Sequence, residues 1–129
     1  MSPELKYLAM TATLTALLWI PYILNSMARN RLSDVVGYPD TPLTLSPWAT
    51  RLKKAHYNAV ENLVVFAALV LVVNAMDISS PATVAASATF FWMRAVHPLA
   101  YTFAIPWLRT LAFAVAWAAL MCLAWHILM

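Results

Sequence analysis

The chain has 129 residues, 64% of them hydrophobic and 10% charged, with one glycine and a mean hydropathy of +0.74. Soluble domains are about half apolar, so a soluble enzyme is excluded. The net charge of +3 does not point to nucleic acid either, because the basic residues cluster beside apolar blocks, where membrane orientation signals lie.

The apolar residues fall into four blocks of roughly 20 residues, the length a helix needs to cross a bilayer core. The first block predicts a span over about residues 5–27. It is longer than a signal-peptide core and has no small-residue cleavage site behind it, so it reads as a true span. Pro21 should kink or end it. A polar connection follows from Arg29 to Thr50, rich in Pro and Asp. It is the only long loop, and long loops are usually functional or disordered.

A second span is expected over about 47–76, apolar from Leu63 onward. "NAMDISSP" makes a tight turn, and Pro81, a favoured first-turn residue, opens a third span over about 81–103. Pro106 opens a fourth, over about 106–128. The expected fold is an all-α membrane protein of four transmembrane helices in a left-handed bundle, forming one domain. Alanines in the third and fourth spans allow close helix approach in lipid. Trp48, Trp107 and Trp125 lie near span ends, as interfacial anchors do.

Arg29, Arg31, Arg51, Lys53, Lys54 and Arg109 fall on one face and only Lys6 on the other. The positive-inside rule then predicts a cytoplasmic long loop and both termini outside, in an inner (plasma) membrane. The lone Cys122 permits no disulfide within the chain, and a zinc site built on cysteine is not expected. No metal-ligand spacing, phosphate loop or serine-hydrolase motif occurs.

The second span opens with "RLKKAHYNAVEN". At 100° per residue, Arg51, Lys54, Asn58, Glu61 and Asn62 share an arc of roughly 100°. His56 points away and reads as structural. In the third span Arg94, His97 and Tyr101 lie within about 60° of arc. Counting outward from the turn between these spans places Glu61 within a helical turn of Arg94 and His97. An intramembrane arginine costs on the order of 3 kcal/mol on insertion scales, so a Glu61–Arg94 ion pair is expected. A stripe of both charge signs near the cytoplasmic face suits a zwitterionic, branched polar ligand better than a single ion. An ion pathway is disfavoured, because Leu63 to Ala75 offers no polar exit.

Lys54-Ala55-His56-Tyr57-Asn58-Ala59-Val60-Glu61 resembles the signature of the MAPEG family, membrane-associated proteins in eicosanoid and glutathione metabolism. The "RAVHPLAY" stretch, holding Arg94 and Tyr101, is similar to the family's third span. The resemblance implies a homotrimer in the lipid bilayer with glutathione as co-substrate, bound between subunits near the cytoplasmic face. It implies Lys54, Asn58 and Glu61 as glutathione-binding residues, joined by Arg94, His97 and Tyr101. Arg29 or Arg31 would cover the site from the loop, and Arg109 would stabilise the thiolate. The implied activity is a glutathione-dependent transferase or peroxidase acting on a hydrophobic electrophile. The alternative is a non-catalytic trimer that binds lipid or steadies a larger membrane complex.

Overall fold

The computed structural model describes residues 1–129 and is entirely helical. In chain order the elements are α1 (Pro3–Leu17), α2 (Trp19–Arg29), α3 (Leu32–Val35), α4 (Pro47–Ala75), α5 (Pro81–Thr102) and α6 (Leu108–Leu128). Three rods are long and apolar enough to cross a membrane: Pro3–Arg29, Pro47–Ala75 and Leu108–Leu128. At 22 residues α5 is long enough as well, but it is less apolar, because Arg94, His97 and several hydroxyl side chains interrupt it.

The first rod is broken at Leu18, between α1 and α2. Pro21 supplies no N–H, and its ring crowds the carbonyl four residues back, at Leu17. The break therefore falls one turn before the proline. Thr11 and Thr15 donate to the carbonyls of Tyr7 and Thr11 at 2.7 and 2.8 Å, bonds that further bend a helix. Beyond α2, two asparagines fasten the long loop. Asn30 exchanges two hydrogen bonds with the Thr44 backbone, and Asn25 Oδ1 accepts from Ser46 N at 2.8 Å.

With its one glycine at Gly37, the chain ends its helices on other residues. Asp77 and Ala104 take positive φ, 54° and 53°. Ile78 N and Ile105 N donate to the carbonyls of Val73 and Ala100, the six-to-one bond that closes a Schellman end. Each left-handed residue costs roughly 1–2 kcal/mol. α6 begins at Leu108, two residues after the proline at which the fourth span is expected to open. The reason is local: Trp107, at φ 68°, is the centre of a turn in which Leu108 N donates to Pro106 O at 2.8 Å. A γ-turn of this positive-φ kind is rare and strained.

α4 and α5 form the middle of the molecule, and both α1 and α6 pack against each of them. The core is centred on Phe66 and Phe90, whose rings stack with centroids 4.1 Å apart. Val70, Val73, Leu120 and Leu123 surround them. Ala112, Ala116 and Ala119 are the small residues that α6 buries, while Ala114 and Ala118 face outward. Apolar tails surround such a chain in lipid, so helix association rests on close packing and hydrogen bonds rather than on escape from water.

Glu4 ties α1 to the start of α5. Its carboxyl is fully buried, and Oε1 accepts from Ser79 Oγ at 2.7 Å and from Thr83 Oγ1 at 2.6 Å. Ser80 and Thr83 form a capping box there. Glu4→Ala should lower stability by about 1–3 kcal/mol, the range for losing buried hydrogen bonds to a carboxylate. Thermal unfolding in detergent, followed by circular dichroism, measures it. An unchanged midpoint would show that the clamp contributes nothing.

Candidate functional site

The polar residues of α4 and α5 meet where those helices face the beginning of α6. Arg94 is 2% exposed, and its Nη2 donates to Asn58 Oδ1 at 2.9 Å. Nε and Nη1 of the same guanidinium are buried without a partner. The expected Glu61–Arg94 ion pair is not formed, and Asn58 takes the arginine instead. Three residues along a helix amount to about 300° of rotation, so Glu61 stands roughly 60° around from Asn58. That rotation turns it from the seam to the exposed side of α4. Asn62 Nδ2 donates to the Asn58 carbonyl at 2.8 Å, which steadies this turn of the helix.

One turn beyond Arg94 lies His97, 3% exposed, with Nδ1 buried and unpartnered. Its ring meets Tyr101 edge-on, with centroids 5.8 Å apart, and lies 6.5 Å from the ring of Phe113 on α6. Pro98 follows within α5 and has no N–H, so the Arg94 carbonyl loses its helical donor while α5 continues to Thr102. Arg109, in the first turn of α6, lays its guanidinium 4.6 Å over the Tyr101 ring. Such a cation–π contact is worth about 0.5–1 kcal/mol where exposed, and it fixes the direction of the cation. The strained turn at Trp107 sets where that first turn begins.

Asn58, His97, Tyr101, Arg109, Thr110 and Phe113 line one open cavity of about 270 Å³. Lys54 and Glu61 flank Asn58 along α4, one turn to either side, and both are exposed. Four of the residues singled out in the sequence thus share a cavity, Arg94 lies behind it on Asn58, and Lys54 and Glu61 stand beside Asn58 on the exposed side of α4. Arg29 and Arg31 are not part of this group. Both are exposed, Arg29 at the end of α2 and Arg31 just before α3, and Arg29 Nη1 reaches Ser46 Oγ at 3.4 Å. His56 is also apart: Tyr22 Oη and His56 Nδ1 lie 2.8 Å apart, tying α2 to α4.

Two polar contacts escape a reading that follows the stripes alone. Arg51 Nε donates to the Thr102 carbonyl at 3.0 Å, capping the last turn of α5. Glu4 precedes the first apolar block, and its partners lie in the turn after the second block (Ser79) and in the first turn of α5 (Thr83). Both segments fall at the same end of the membrane, which was the available signal.

A sequence model of the MAPEG family matches residues 8–129. The chain belongs to that family of membrane-associated proteins in eicosanoid and glutathione metabolism. It matches no curated protein and no solved structure.

A buried polar group left without a partner costs about 1–3 kcal/mol, and more when charged. Arg94 has one bond for three nitrogens. Asn58→Ala should therefore lower stability by about 1.5–3 kcal/mol, the range for a hydrogen bond to a charged group. Asn58→Asp should raise it by supplying the missing counter-charge. Detergent-solution melting of both variants checks the pair. A fall of the same size with Asp as with Ala would show that Arg94 needs no counter-charge.

Proposed function

We propose that the protein is a four-span homotrimer of the inner membrane that binds glutathione between neighbouring subunits and transfers it to a hydrophobic electrophile, or uses it to reduce a hydroperoxide. The observation that carries this reading is the cavity at which Asn58, His97, Tyr101 and Arg109 meet, with Lys54 and Glu61 exposed on α4 one turn to either side of Asn58.

The donor set suits the ligand. Glutathione carries two carboxylates, one ammonium and one thiol. Lys54 offers a cationic donor, Glu61 an acceptor for the ammonium, and Asn58, held from behind by Arg94, both kinds of group. Their openness on one chain is what a site shared between subunits requires. The neighbour's long loop, with Arg29 or Arg31, covers the ligand from the basic end. That end is cytoplasmic and both termini are outside, by the distribution of Lys and Arg.

The chemistry follows from Arg109. A thiol of ordinary pKa near 8.5 is mostly protonated at neutral pH, and a neighbouring cation lowers that value. The guanidinium, held over Tyr101, faces the cavity as a fixed positive charge. The thiolate sulfur then forms a bond to the electrophilic carbon. The leaving atom departs with the bonding pair, or, where a strained ring opens, the ring oxygen takes up a proton. A preorganised cation favours this because its cost is met before charge develops on sulfur.

Arg109→Ala should lower kcat by about a hundredfold, the scale for removing one preorganised donor, with little change in KM. Lys54→Ala should weaken glutathione binding with kcat nearly intact, because its ammonium meets a carboxylate remote from the reaction. Ultraviolet absorbance of the bound thiolate should appear below pH 8 in the wild type and move to higher pH in Arg109→Ala. No thiolate signal in the wild type at saturating glutathione would overturn the assignment.

A further inference from the structure

Arg109 stands in the least protected part of the chain. Every residue from Phe103 to Leu111 is exposed, including the strained turn at Trp107 and the first turn of α6. Burial of its own surroundings therefore does not fix the direction of this cation. The anchor lies just before that stretch. Thr102, the last residue of α5, is buried. Its carbonyl is one of the four that a helix end leaves without an intrahelical donor, and Arg51 Nε supplies a donor at 3.0 Å. This is the only side-chain hydrogen bond to any residue between Arg94 and Cys122.

Arg51 and Asn58 are seven residues apart on α4. That spacing puts them within about 20° of one line and roughly 10 Å apart along the axis. Asn58 holds Arg94, and Arg51 holds Thr102. The two bonds bracket the stretch of α5 that carries His97 and Tyr101. Tyr101 in turn is the seat of the Arg109 guanidinium, 4.6 Å over its ring. The Tyr101 and Ala100 carbonyls accept from Ala104 N and Ile105 N, so the turn into α6 is built directly on the end that Arg51 secures. Arg51, Tyr101 and Arg109 also line one cavity of about 240 Å³, and Tyr101, Arg109 and Thr110 line the cavity with Asn58 as well.

We propose that Arg51 is a positioning residue: its bond to the Thr102 carbonyl fixes the last turn of α5, and with it the Tyr101 ring and the turn from which Arg109 reaches the cavity with Asn58. This role rests on the reading of Arg109 as the thiolate's cation. Arg51 itself meets a carbonyl of the chain and no substrate. The bond, rather than the charge, carries the effect, and three replacements separate the two. Gln places its Nε2 donor as many bonds from Cα as the Arg Nε, without the charge. Met reaches the same length with no donor. Lys keeps the charge on an ammonium one atom further out.

The full chain in detergent tests this by kinetics and by amide hydrogen exchange. Arg51→Met should lower kcat about tenfold with KM nearly unchanged, within the hundredfold that an ångström of misplacement costs. It should also move the bound-thiolate absorbance to higher pH. Arg51→Lys should behave as Arg51→Met, and it serves in its place if the Met variant fails to fold. Arg51→Gln should stay within about twofold of the wild type, because it keeps the donor. Added to Arg109→Ala, Arg51→Met should cause no further loss, since residues that act through one another are not additive. A second arm uses no glutathione. Exchange in residues 103–111 should quicken about tenfold in Arg51→Met, the scale of one lost hydrogen bond to a charged group, and stay unchanged in Arg51→Gln. Unchanged exchange in Arg51→Met would overturn the proposal, as would an Arg51→Gln that falls as far as Arg51→Met, or losses that multiply in the double variant. No thiolate signal in the wild type would instead overturn the glutathione reading, and the catalytic role of Arg51 with it.

Discussion

The arrangement of the polar residues depends on one constraint, the burial of a single guanidinium between α4 and α5. Arg94 cannot be hydrated where it lies, and the one side chain that reaches it is an uncharged amide, Asn58. This leaves the chain with a cation lacking a counter-charge, beside a histidine nitrogen that is also unpartnered. Buried polar groups in native proteins are nearly always satisfied. Here Nε and Nη1 of Arg94 and Nδ1 of His97 are unsatisfied together, next to an open cavity.

That constraint explains the division of labour on α4. Asn58 faces inward and restrains Arg94, so Glu61 and Lys54 remain free on the outer side. Had Glu61 paired with Arg94, the exposed side of this stretch of α4 would carry Lys54 without the carboxylate one turn beyond Asn58. The cost of withholding the carboxylate is borne by the rest of the seam, where Phe66 stacks on Phe90 and the α6 alanines pack closely. Tight packing one or two turns away keeps α4 and α5 together without an ion pair.

The turns show the same economy. One glycine serves the whole chain, so two helix ends are closed by Asp77 and Ala104 in left-handed conformations, and α6 starts from a strained turn at Trp107. Two of these three positions lie in the short α5–α6 connection. That connection decides where Arg109 projects, and Arg109 borders both the cavity with Asn58 and the cavity with Arg51. Strain concentrated there holds one cation between two spaces.

Much of this was legible in the sequence because lipid imposes lengths and periods that a chain cannot evade. Apolar blocks of about 20 residues announced the helices, Pro21 announced the break, and the Lys54-to-Glu61 motif announced the family. The spacing of His97 and Tyr101 placed them on one face, and they share one cavity with Asn58 and Arg109. What the sequence could not decide was azimuth between helices. A rotation of about 60° separates Asn58 from Glu61, and which of them meets Arg94 depends on how α4 leans on α5, a matter of packing at Phe66 and Phe90 one to two turns away. The burial of Glu4, the bond from Arg51 to Thr102 and the start of α6 at Leu108 are of the same kind. Local pattern determined that helices form and which faces are polar. Only the tertiary structure decided which polar group faces which, because that choice belongs to pairs of residues that the chain brings together from far apart.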